Sequence, residues 1–144
     1  MPFSSIDKGS SYFNTVLWTG NNSSPRNIDT GHATDFIWVK FRTNPYNHRL
    51  FDSVRGGTKR LISNSTSAED TASTDVTGFL STGFTIDSNI NNSADGALVG
   101  WSWLGGGTGV SNTSGSITST VSANTTSGFS VIKFTASGSG NQSV

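Results

Sequence analysis

Along most of the chain, apolar residues return at every second position in short runs, and clusters of Gly, Ser, Asn and Thr separate one run from the next. A period of two is the pleat of a half-buried strand; an amphipathic helix repeats every three to four residues. The pattern predicts strands over 12–18, 36–42, 49–54, 83–86, 97–104, 116–123 and 129–135. In 36–42 Ile37, Val39 and Phe41 form a wholly apolar face, while Phe36, Trp38, Lys40 and Arg42 turn from aromatic to basic on the other. In 97–104 Ala97, Val99, Trp101 and Trp103 share one side and Leu98, Gly100, Ser102 and Leu104 the other. Core positions are expected at Phe13, Val16, Ile37, Val39, Phe84, Val99, Trp101, Ile117 and Val121.

No stretch of about ten to twelve residues carries a helical repeat strong enough for a crossover, so a parallel α/β sheet is excluded. The segment 67–74 reads as a single helical turn or an irregular loop. The expected fold is therefore all-β, an antiparallel two-sheet sandwich or jelly roll of about seven to nine strands. Composition agrees: Ser, Thr, Asn and Gly make up about half of the 144 residues, Glu69 is the single glutamate, and Met1 the single methionine. That profile lacks helix formers and excludes all-α and coiled-coil folds.

Nine basic residues balance nine acidic ones, which gives no electrostatic basis for binding nucleic acid or an anionic membrane. No apolar run approaches the roughly 18 to 20 residues that span a bilayer, and the N-terminus lacks a signal-peptide layout. With no cysteine, disulfides, thiolate metal sites and cysteine nucleophiles are excluded. Six of the basic residues lie between Lys40 and Arg60, and the acids Glu69, Asp70, Asp75, Asp87 and Asp95 follow. Two readings stand: pairing within the chain, or a basic edge that meets a neighbour's acidic edge.

His32 and His48 are the only imidazoles, and Gly100-Trp-Ser102-Trp-Leu104 lacks the second glycine of a nucleophile elbow. The carboxylates show no pair in a glycosidase context. The run 105–109 has no Lys-Ser/Thr after it and reads as a flexible strand connection, not a phosphate cradle. Asp87, Asn89, Asn91 and Asp95 have calcium-type oxygens, but Asn/Asp turn chemistry accounts for them. No catalytic residue, cofactor or metal is therefore expected. For binding, Trp101 and Trp103 are candidates for sugar stacking, with Tyr46, His48 and Arg49 on the loop after Pro45. The competing reading places Trp38, Trp101 and Trp103 in the core, where tryptophan is usually found.

An internal match adds organisation. Segment 13–28 aligns without a gap to 129–144: Phe13 meets Phe129, Val16 meets Ile132, Trp18 meets Phe134, Thr19 meets Thr135 and Ile28 meets Val144. This divides the chain into an arm at 1–12, a module at 13–128, and the first strand of a second tandem module at 129–144. Such a strand is expected on a sheet edge, exchanged with a neighbour, or continued into further chain. The alternative is a chance likeness between two strands followed by Gly/Ser turns.

Five blocks, Tyr12-Phe-Asn-Thr15, Asp35-Phe-Ile-Trp-Val-Lys40, Arg49-Leu-Phe-Asp-Ser-Val-Arg-Gly56, Thr58-Lys-Arg-Leu61 with Ser63-Asn64, and Gly115-Ser-Ile-Thr-Ser-Thr-Val-Ser-Ala-Asn-Thr-Thr-Ser-Gly-Phe129, resemble a repeat module. That module occurs in tail-fibre-like and appendage structural proteins of marine and cyanobacterial phages. The resemblance runs from about Ser11 to Val144 and implies a concanavalin A-like jelly roll, often in tandem. The glycine run at 105–109 departs from it by lacking a lysine-containing stretch. The resemblance implies a non-enzymatic virion component, assembled in the host cytoplasm with other virion proteins. It also implies a homotrimer and contact with a host-surface glycan; neither nucleic-acid binding nor membrane insertion is expected, on the charge balance and the apolar runs above. The alternatives are a soluble carbohydrate-binding module and, after it, a glycan depolymerase.

Overall fold

A computed structural model describes residues 6–91, 96–138 and 140–144. Part of the expected arm, 1–5, and the 92–95 part of the loop considered for calcium lie outside the described residues. Within them the order is β1 Phe13–Thr19, β2 Arg26–Asp29, β3 Phe36–Phe41, β4 Arg49–Asp52, β5 Lys59–Arg60, β6 Asp70–Thr71, β7 Val76–Leu80 and β8 Gly83–Ile86. The helix α1, Ser88–Asn91, comes next, followed by β9 Ala97–Trp103, β10 Val110–Asn112, β11 Ser119–Asn124 and β12 Phe129–Phe134. The chain is all-β and every strand pairing is antiparallel.

The alternating runs became β1, β3, β4, β8, β9, β11 and β12, within a few residues of their expected ends. Five further strands lacked that signal. β2 carries one apolar residue, and β7 is broken by Gly78 and a register shift between Val76 and Gly78, which destroys its alternation. Segment 67–74 is an irregular loop, the second of its two expected readings, with the two-residue β6 inside it; the helical turns lie elsewhere, in a 3-10 turn at Gly9–Ser11 and at α1.

Among the described residues hydrogen bonding gives four sheets: β1-β9-β3-β4, β2-β8-β7, β10-β11-β12 and β5-β6. β9 stands between β1 and β3, opposing Phe13 to Trp103 on one side and Phe36 to Trp103 on the other. Its inward residues are Leu98, Gly100 and Ser102, the less apolar side of the strand. Gly100 decides this: a Cβ there would lie 3.0 Å from Trp18 Cζ3 and 3.1 Å from Ile37 Cδ1, so the bare backbone makes room for the Trp18 indole. Trp18, Ile37, Val39, Phe41, Phe51 and Leu98 of this sheet then meet Ile28, Val76, Phe84 and Ile86 of β2-β8-β7, with Ala72 and Ile90 completing the core. Each fully buried Phe, Ile or Leu contributes about 1.5–3 kcal/mol relative to exposure.

Ile37, Val39, Phe84 and Val99 are buried as expected, and Val16 packs, partly buried, against the core; Phe13, Trp101, Ile117 and Val121 need correction. Phe13 and Val16 sit on opposite faces of β1, so the register that turns Val16 toward the core leaves Phe13 outward and 41% exposed. Trp101 lies on the outward face, half-buried. Ile117 and Val121 are half-buried with the β10-β11-β12 part of the chain and do not join the core.

The glycine run after β9 is not a loose connection. Asp35 Oδ2 accepts from Gly105 N at 2.9 Å and Gly107 N at 3.2 Å, and Gly106 N donates to Ser122 Oγ at 2.8 Å. This crossing fixes β11 against the end of β9. Segment 129–134 is here the edge strand β12, paired with β11 from Phe129↔Asn124 to Phe134↔Ser119. Farther on, Ser143 exchanges hydrogen bonds with Ser116.

Candidate functional site

Alternation on β1, β9 and β3 places Thr15, Leu17, Trp101, Trp38 and Lys40 on the outward face of the four-stranded sheet. Trp38 and Trp101 are cross-strand partners whose rings meet edge to face at 5.8 Å. The Trp38 Nε1–H donates to His48 Nδ1 at 2.8 Å, with the rings 5.5 Å apart, so the indole is held by its polar end. Leu17, 63% exposed, flanks this group. The result is an open aromatic surface with a fixed imidazole at its margin, which suits the apolar face of a sugar ring with hydroxyls at the edge.

The five sequence candidates do not form one site. Trp101 and His48 come together through Trp38, a residue that sequence reasoning weighed only as core. Trp103 shares their face, but Phe129 stacks on it at 5.9 Å and Phe13 and Phe36 flank it at 4.8 and 5.3 Å. Tyr46, 52% exposed, packs edge-on against Phe41, a core residue. Arg49 opposes Val39 on the inward side, pairs with Asp75 at 2.8 Å, and lies 5.8 Å from the Phe41 ring centre. Its guanidinium is thereby committed inside the molecule.

The basic and acidic segments pair within the chain. Arg49 and Arg60 both bond Asp75, Arg60 also bonds Asp70, and Arg55 bridges Asp52 and Glu69. The Arg60 hydrogen bond holds the Asp70 carboxyl below its usual range. Among the described residues, no group of three or more His, Asp or Glu side chains is arranged to hold a metal.

A serine and a histidine do meet: Ser102 Oγ lies 3.3 Å from His32 Nε2. Ser102 is fully buried and also bonds the Asn14 carbonyl at 3.2 Å, while Asp35, the nearby carboxylate, is taken up by the glycine run. A nucleophile needs both access and an oriented base. This enclosed pair provides structure.

Burial lowers the His32 pKa from 6.5, against the opposing influence of the Ser10 and Thr30 backbones and Asp35. The unfolded imidazole therefore takes a proton before the folded one does. The His32 contribution is complete above 6.5 and is lost as the pH falls below that value. Thermal midpoints scanned from about pH 7.5 to about pH 5 are expected to fall for the wild type and to change less for His32→Gln. Equal slopes would remove His32 as the cause.

A family model, described as a domain of unknown function (DUF7483), matches residues 8–144. No curated protein matches the chain. No solved structure matches it either.

Proposed function

This chain belongs to the DUF7483 family, and we propose that it serves as a non-enzymatic structural module of a phage virion, in a tail fibre or capsid appendage. The resemblance of its sequence blocks to appendage repeats supports the virion role. The Trp38–Trp101–His48 surface supports contact with a host-surface glycan. In this reading the two sheets that share the core form the sandwich of a concanavalin A-like jelly roll, and homotrimeric assembly supplies the closed symmetry that a fibre requires.

The same surface favours one second reading, a soluble carbohydrate-binding module; a glycan depolymerase ranks below it. Light scattering, a glycan array and a reducing-end assay, applied to the whole chain, distinguish them. An oligomer without release of reducing ends supports the appendage reading. A tight-binding monomer supports the lectin reading, and release of reducing ends the depolymerase. Where a glycan is retained, Trp101→Ala is expected to weaken it about tenfold, the value of one aromatic stacking contact. Unchanged affinity in that folded variant would remove the aromatic face as the contact surface.

A further inference from the structure

The β10-β11-β12 sheet covers only one end of the outward face. Beside β12 runs a groove of about 530 Å³, with Phe36, Leu50 and Leu61 among its apolar lining and residues 131–134 along it. Leu61 is 37% exposed there. β12 is an edge strand, and among the described residues its ladder runs to β11 alone. The groove thus combines an unfinished sheet with an apolar floor that the next strand of that sheet would cover.

Its charges are unevenly matched. Both carboxylates in the lining, Asp52 and Glu69, are held by Arg55. Lys59 and Lys133 also line it, and among the described residues neither has an ion-pair partner. Lys59 donates to the Thr71 hydroxyl at 2.8 Å. Two ammonium groups therefore flank an apolar floor beside a free strand edge.

We propose that this groove binds an extended, acidic polypeptide segment, which adds to β12 as a fourth strand. Its backbone would pair with the free edge, alternate apolar side chains would rest on Leu50 and Leu61, and carboxylates would meet Lys59 and Lys133. An anionic glycan would satisfy the lysines but would leave the free edge without a ladder. The inference does not rest on the virion role.

The test uses the whole ¹⁵N-labelled chain and three capped peptides: alternating Asp-Val, alternating Lys-Val, and the Asp-Val peptide N-methylated at alternate residues. The Asp-Val peptide is expected to shift the amide signals of 129–134. N-methylation is expected to weaken binding about tenfold for each ladder bond lost. The exposed substitution Lys133→Glu, alone and with Lys59→Glu, is expected to transfer preference to the Lys-Val peptide. Equal binding of the acidic and basic peptides would overturn the proposal, as would indifference to N-methylation, or shifts confined to surfaces away from β12. So would a hyaluronan oligosaccharide that binds there while the Asp-Val peptide does not, or a self-associated chain whose own second copy occupies the edge.

Discussion

Asp75→Ala is expected to lower stability by about 3–5 kcal/mol, the loss that follows when one member of a buried ion pair is removed. Asp75 is fully enclosed. Its Oδ1 accepts from Arg49 Nη1 at 2.8 Å and from Asn89 Nδ2, and its Oδ2 accepts from Arg60 Nη1 at 3.0 Å. One carboxylate thereby ties together β4, β5 and α1, and its backbone also bonds Asp87. Alanine would leave the Arg49 guanidinium largely buried beside Phe41 without an anion, and would strip Asn89 of its acceptor. Asp75→Asn retains the shape and one acceptor oxygen, so its loss is expected to be smaller. Urea unfolding followed by tryptophan fluorescence measures both; a loss below about 1 kcal/mol for alanine would show that water replaces the carboxylate at little cost.

Gly106→Ala is the second large effect, and it acts by a different route. A Cβ at Gly106 would lie 2.6 Å from Ala123 O and 2.9 Å from Ala123 N, both backbone atoms that no rotamer change can move. The glycine run must then withdraw from β11, which loosens the Gly106–Ser122 and Asp35–Gly107 hydrogen bonds. About 3 kcal/mol is expected, at the upper end of the usual overpacking range. The damage should be local. Hydrogen exchange is expected to quicken in β11 and β12 while β3 and β8 remain protected, as happens when one cooperative unit opens separately. Uniform acceleration would mean that the crossing belongs to the main core.

Alternation made β3, β8 and β9 legible, because in each a set of apolar residues keeps the period of the pleat. Parity was harder to read. β9 has an aromatic side and a small-residue side, and greater hydrophobicity suggested that the aromatic side faced inward. The small side faces the core because Gly100 must admit Trp18, a steric demand that belongs to a residue distant in sequence. The site divided for the same reason. Trp101 and His48 meet only because β3 brings Trp38 between them, whereas Arg49, a neighbour of His48 in sequence, points to the opposite side. Asp75 was legible only as one acid among several after the basic segment: its particular importance comes from two arginines that the fold delivers to it. Asp35 was silent, since the function of the glycine run depends on what that run passes.

The central position of β9 also sets a timetable. β1 and β3 have no direct ladder to each other, and the strand that joins them pairs Phe13 with Trp103. A ribosome adds about 5–20 residues per second, so the first strand emerges seconds before the one it requires. During that interval Trp18, Ile37 and Val39 lack their final cover, and the β1 and β3 edges that will receive β9 stand open to whatever else is nearby. A nascent chain of this topology gains little from folding as it appears and completes its sheet in a late step. Slower synthesis would lengthen the exposed interval, and a chaperone that holds the first hundred or so residues apart would shorten the route to the native pairing.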